Sequence, residues 1–167
     1  MAAGSTYTPI ATTTLGSAQT SVTFSSISGS YTDLVLIISG SINTNDLPSF
    51  QVGNGSASST GYSSTVIRGS GSSAGSTRFS NQSLTWLGDS GNTANSQMNG
   101  IIHFQNYSNT TTYKTILSRY NNTTGETAAT VHLWSNTSAI NYIILKTLSN
   151  NSYNSGSTFT LYGILAA

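Results

Sequence analysis

Thr158-Phe159-Thr160-Leu161-Tyr162-Gly163-Ile164, close to the end of the chain, decides the fold. Phe159 and Leu161 fall on one side of an extended chain, Thr158 and Thr160 on the other. A period of two is the mark of a strand with one face buried and one exposed. Met98–Tyr107 repeats it, with Ile102 and Phe104 opposing His103 and Gln105. Moving outward, similar short runs recur between turn residues at Ser21–Ser25, Asp33–Gly40, Ser49–Val52, Ser64–Arg68, Ser83–Leu87, Tyr113–Tyr120, Ala128–Trp134 and Ala139–Leu148. No window carries sustained apolar spacing of three and four, and β-branched and aromatic residues outnumber strong helix formers. The expected fold is all-β: a single antiparallel β-sandwich, jelly-roll-like.

Leu34–Ile38 and Ile143–Leu145 are apolar on both faces. They are expected to be central strands, or strands whose outer face meets another subunit. Two segments read as irregular. Residues 1–20 carry Pro9 and a Thr run at 12–14, which suits an extended N-terminal arm or an edge strand ahead of a sandwich domain over 21–167. Gly53 to Gly75 is nearly all Ser, Gly, Thr and Ala outside the short run at Val66, and reads as long flexible loop.

The composition narrows function mainly by exclusion. Of 167 residues, five are Lys or Arg and four Asp or Glu, whereas 31 Ser, 26 Thr, 16 Asn and 16 Gly make up just over half the chain. Five scattered basic residues do not neutralise a run of phosphates, so no nucleic acid is expected as partner, and no polybasic patch points to a membrane. The longest apolar run, Leu34–Ile38, is far too short for a helical membrane span. Hydrophobic residues at 36% and aromatics at 10% argue for a folded chain over a disordered one. Without cysteine, disulfides and thiolate metal sites are excluded, and assembly is one way for such a chain to gain stability. The first residues, MAAGSTYTPIATTTLGS, lack the basic start and apolar run of a signal peptide, so a cytoplasm is the expected place of synthesis. The several Asn-x-Ser/Thr matches, such as Asn81 and Asn106, follow from composition and are read as unglycosylated.

Chemical motifs are formal only. Gly69-Ser70-Gly71-Ser72-Ser73-Ala74 spells a dinucleotide fingerprint, but Gly75-Ser76-Thr77 follows where a helix should begin. Gly71-Ser72-Ser73-Ala74-Gly75 spells a hydrolase nucleophile elbow, followed in order by Asp89 and by His103 or His132, yet the elbow needs a strand-to-helix turn. His103 and His132 each sit mid-strand and form a metal site only if the fold joins them to a third ligand. Asp33, Asp46, Asp89 and Glu126 are dispersed, which indicates neither a paired-carboxylate site nor a calcium loop. Trp86, Trp134 and the nine tyrosines suit either a core and interface or a sugar-stacking surface, the first being the commoner use in strands. No cofactor is indicated, and no enzyme is expected.

The opening Tyr7-Thr8-Pro9-Ile10-Ala11-Thr12-Thr13-Thr14-Leu15-Gly16-Ser17 resembles the start of a group of small structural proteins from tailed bacteriophages, including cyanophages. The likeness continues in Val22–Ile27, Tyr31–Leu36, Ile102–Ser108, Leu133-Trp134 and Gly156–Ile164. The resemblance implies a β-sandwich, commonly jelly-roll-like and commonly trimeric, and brings no catalytic residues. It implies a virion protein of one of two kinds. The first is a capsid decoration (cement) protein, a homotrimer bound to the major capsid protein on the capsid surface. Binding only the assembled shell would stabilise it by mass action. Tyr7, Pro9, Ile10 and Leu15 are then the expected capsid or subunit interface, as an arm added to a neighbour's sheet edge. The second is a tail-fibre or receptor-binding protein that recognises a host cell-surface glycan, although no repetitive shaft is present.

Overall fold

The computed structural model describes residues 6–89 and 91–165. They form twelve strands and no helix: β1 (Tyr7–Thr14), β2 (Ser21–Phe24), β3 (Asp33–Gly40), β4 (Pro48–Gly53), β5 (Tyr62–Gly69), β6 (Ala74–Gln82), β7 (Thr85–Trp86), β8 (Met98–Phe104), β9 (Lys114–Asn122), β10 (Thr127–Trp134), β11 (Tyr142–Thr147) and β12 (Thr158–Ile164). Two antiparallel sheets result. The larger runs β1-β12-β3-β8-β9-β10-β5-β6, the smaller β2-β11-β4-β7.

The strand order becomes simple once the hairpin β5–β6 and the pair β9–β10 are set aside. The remaining eight strands pair first with last: β1 with β12, β2 with β11, β3 with β8, β4 with β7. This is one long antiparallel ribbon. Rolling it up brings β12 beside β3 and β11 beside β4, which divides it into four strands per sheet, the jelly-roll arrangement. The four set-aside strands then extend the larger sheet beyond β8. The chain is therefore a jelly roll with one sheet doubled in width.

Alternation places the core. Leu34, Leu36, Ile38, Met98, Ile102, Phe104, Phe159 and Leu161 point inward from the larger sheet, and Phe50, Val52, Ile143 and Leu145 meet them from the smaller; all are essentially inaccessible. Phe50 packs edge-on against Phe104, ring centroids 5.8 Å apart, and against the His132 ring at 5.1 Å. Gly163 takes an inward position at the sheet's end, where a Cβ would lie 2.3 Å from the Tyr31 ring, so only glycine lets that tyrosine close the edge. The doubly apolar runs are interior strands, β3 between β12 and β8 and β11 between β2 and β4.

Of the two forms expected for the N-terminal segment, Tyr7–Thr14 takes the second: it is the edge strand of its own larger sheet and not a detached arm, paired with β12 and bulged between Pro9 and Ala11. The loop reading needs correction. The 53–75 stretch is not one loop, because β5 runs to Gly69 and β6 begins at Ala74. Polar strands persist here because β6 lies at the open edge with both faces largely exposed, so its ladder to β5 asks for no apolar side chains.

Most buried polar side chains carry fixed partners, Asn92 Oδ1 and Trp134 Nε1 being exceptions among the described residues. Asp46 accepts from Leu47 N (2.8 Å), Ser149 N (3.1 Å) and Asn151 Nδ2 (2.9 Å), tying the β3–β4 connection to the turn after β11. Burial pushes its carboxyl up, but hydrogen bonds from Thr147, Leu47, Asn151 and Ser149 outweigh this and hold it below the usual value. Asp46→Asn turns an amide donor toward those donors, and unmatched buried donors cost about 1–3 kcal/mol. A urea midpoint unchanged from wild type would show that the carboxylate is not holding these loops. Lys114, likewise buried, donates from Nζ to the carbonyls of Thr112 (2.8 Å) and Thr137 (3.1 Å), and burial lowers its pKa.

Candidate functional site

The outward positions of the larger sheet break the rule that its inward positions obey. Strand registers align them into rows across the sheet. One row is Tyr162, Val35, His103, Leu117, Val131 and Thr65. The next is Thr160, Ile37, Ile101, Arg119, Ala129 and Ile67. Ile37, Ile101, Leu117, Val131 and Ile67 are 40%, 38%, 37%, 51% and 65% exposed. A solvated sheet face would carry polar residues there, and a contiguous apolar patch marks a contact surface. A third row, Thr158, Ser39, Asn99, Asn121 and Thr127, borders the patch with hydroxyls and amides.

The patch is a shallow depression of about 660 Å³, bounded by Tyr7 at one end and by β5 at the other. A second depression of about 770 Å³ continues it and shares Ile67, Ile101, Arg119 and Ala129. The sequence folds this way because β3 and β8 of the jelly roll run directly into the added strands β9, β10 and β5. Half of the floor belongs to those added strands.

Charge is sparse but placed. Arg119 is exposed in the middle of the floor, opposite Ile101 on one side and Ala129 on the other. His103 lies at the margin, its Nε2 2.8 Å from Asp33 Oδ2, and Asp33 Oδ1 accepts from Asn106 N at 2.7 Å. Arg68 at the far margin pairs through Nε with Asp89 at 2.9 Å.

The residues singled out from sequence are distributed as follows. Tyr7 faces outward, packs edge-on against Tyr162 with centroids 6.1 Å apart, and lines the depression. Pro9 is exposed at the bulge. Ile10 is partly buried against the core, and Leu15 lies within it. The Gly69–Ala74 run is the β5–β6 turn, followed by a strand, which removes the context of both formal motifs. His103 and His132 sit on opposite faces. His132 is fully buried, its Nδ1 2.6 Å from Thr85 Oγ1 and its Nε2 2.8 Å from Ser118 Oγ. Burial lowers its pKa to about 3, so it is a neutral bridge between the sheets. Among the described residues no three His, Cys, Asp or Glu gather as a metal site.

The fold brings Asp89 and Glu126 together, but through a backbone contact: Asp89 N donates to Glu126 Oε1 at 2.9 Å, while the Asp89 carboxylate holds Arg68 and Thr77. Trp86 and Trp134 are buried, as are Tyr62, Tyr107, Tyr120 and Tyr153, whereas Tyr7 and Tyr113 are exposed, so both tryptophans and four of the nine tyrosines serve the core and not an outer surface. Sequence reading missed Ile67, Ile101, Arg119 and Val131. Ile101 was signalled by an apolar residue at the outward position of a strand whose inward positions were already apolar; Arg119 and Val131 carried no such signal, because β9 and β10 bury polar residues such as Ser118, Thr130 and His132.

No known family model matches the chain, and no curated protein does. Solved structures show loose likeness. One is CG-16, a homodimeric agglutinin from chicken liver, at 10% identity and TM-score 0.37, over 83% of this chain and 98% of that one. Another is the PL-14 alginate lyase from Aplysia kurodai, at 10% identity and TM-score 0.39, over 84% and 72%. A third is the alginate lyase Aly36B, at 8% identity and TM-score 0.27, over 93% and 81%. At these values neither substrate nor residue role passes to this chain.

Proposed function

We infer that this chain is a capsid decoration protein of a tailed bacteriophage, a homotrimer that binds the outside of the assembled shell and stabilises it. The observation that carries the reading is the exposed apolar floor of the larger sheet, formed by Ile37, Ile67, Ile101, Leu117 and Val131. A lone soluble domain gains nothing from such a face; a subunit that docks on another protein does. The likeness of the chain to phage structural proteins supplies the kind of assembly. On this reading the protein acts by binding and not by catalysis. Few surface charges need desolvating on contact, so attachment is weakly salt-dependent.

The alternative, a tail-fibre protein that recognises a host glycan, is favoured by one feature. The Ser39, Asn99, Asn121 and Thr127 row presents hydroxyls and amides beside the depression. The two readings separate by stoichiometry. Quantitative mass spectrometry of purified virions is expected to find hundreds of copies per particle. A handful per particle, with a glycan-array signal at micromolar affinity, would replace the first reading by the second.

A further inference from the structure

We propose that the depression on the larger sheet receives an apolar protein segment from a different chain, and that this segment carries one Asp or Glu side chain that pairs with Arg119. The inference rests on the decoration reading only for the partner's identity, which would then be the capsid protein.

The argument begins with where the charges are. Arg119 stands among Ile101, Leu117 and Ala129, and among the described residues it forms no ion pair. Any partner that covers the apolar floor also takes water from this guanidinium. A buried cation without a counter-ion costs several kcal/mol of affinity, so the occupant must bring an anion to that point. A planar carboxylate fits a guanidinium through two parallel hydrogen bonds.

A second copy does not meet this need with its side chains. The chain has four acidic residues. Asp33 holds His103 and the Asn106 N–H, Asp89 holds Arg68 and Thr77, and Asp46 and Glu126 are buried. Two copies stacked face to face would therefore bring two guanidinium groups into one apolar contact with no side-chain carboxylate to meet either. A glycan suits the floor poorly for a different reason. Sugars bind through stacked aromatic faces and many hydrogen bonds, whereas this floor is aliphatic and its exposed aromatic residue, Tyr7, lies at one end. Isoleucine, leucine and valine side chains pack best against other apolar side chains.

The test is selection from a displayed library of random 12-residue peptides on the immobilised protein and on Arg119→Glu. Wild type is expected to enrich Asp or Glu set among Val, Ile, Leu and Phe, and the variant to enrich Lys or Arg instead. The best acidic peptide, made synthetically, should lose affinity at least about tenfold on Arg119→Glu. Arg119→Lys, which keeps the charge but loses the paired hydrogen bonds, should give an affinity between those of wild type and Arg119→Glu, and on wild type the peptide should shift the amide resonances of Ile101, Leu117 and Val131. No enrichment, enrichment without an acidic residue, or shifts confined to another surface would overturn the proposal. So would binding of a heparin tetrasaccharide at Arg119 with the peptides failing, or an oligomer that dissociates on Ile101→Asp, which would make the occupant a second copy. Low copy number in virions would sink the decoration reading and leave the peptide result standing.

Discussion

Lowering the pH from about 6.5 to about 3 is expected to remove on the order of 3–5 kcal/mol of stability through His132 alone. The cause is burial. Its ring lies between the sheets, with Thr85 and Ser118 on its nitrogens and Phe50 against its face. Both hydroxyl groups can accept from an imidazolium as readily as they serve the neutral ring, so hydrogen bonding does not oppose the charge; loss of water does. The folded pKa therefore lies near 3 while the unfolded chain keeps about 6.5. Between those values the unfolded state binds a proton that the folded state refuses, and stability falls as pH falls. The full contribution is present above about 6.5. Asp46, whose folded pKa is lowered, adds a second loss as the pH drops through the carboxylate range, below most of the histidine window. Urea unfolding at a series of pH values should show a slope between pH 6 and 4 that His132→Gln abolishes, whatever that variant does to stability at pH 7. A slope of equal size in the variant would show that His132 is not its source. The fold is thus set to loosen in acid from inside the sandwich.

Most of the fold lay open in the sequence because burial on one side writes a period of two. β3 and β12 have the residue limits expected from alternation alone. Met98–Tyr107 overran by three residues: Asn106 turns the chain with φ +46°, and Tyr107 is buried not as a strand residue but with its hydroxyl donated to Ser28 O. β6 left no trace, since an edge strand exposed on both faces has no apolar period to show. The ribbon that makes the jelly roll was not legible in detail either, because nothing local in Tyr7–Thr14 says that its partner begins 144 residues later at Thr158. The candidate site was half-legible. Ile101 stands beside Ile102 and is apolar where alternation calls for a polar residue, whereas in β10 the apolar Val131 faces out while its neighbours Thr130 and His132 are buried, the reverse of what polarity alone suggests. What the sequence could not supply was the register that lines them up across β3, β8, β9, β10 and β5.

That register sets the second large effect. If the chain is a capsid decoration protein, Ile101→Asp with Val131→Asp is expected to weaken its attachment to assembled capsids by more than about a hundredfold while leaving the melting temperature within about 2 °C. The two residues are 38% and 51% exposed, so in the free protein each carboxylate remains hydrated, and an exposed substitution away from core and turns costs little. On docking the situation reverses. Both positions lie in the floor, in adjacent rows on β8 and β10 with β9 between them, and a partner seated there strips the carboxylates of water. Desolvating an unpaired charge costs several kcal/mol, and each 1.4 kcal/mol is tenfold in affinity. Ile101→Asp also places a carboxylate opposite Arg119 across the β8–β9 register, where it would occupy the guanidinium meant for the partner. Co-sedimentation with expanded, undecorated capsids measures the binding, and thermal unfolding measures the fold. Capsid binding within threefold of wild type, with the fold intact, would move the docking surface elsewhere on the molecule. The Thr12–Thr160 and Thr14–Thr158 side of the sheet supplies the control. Thr160 and Thr158 close the ends of the second and third rows, with Thr12 and Thr14 one strand further out on β1, and none of them lines the depression; Thr12→Asp should leave attachment nearly unchanged, which separates loss of the floor from a general effect of added negative charge.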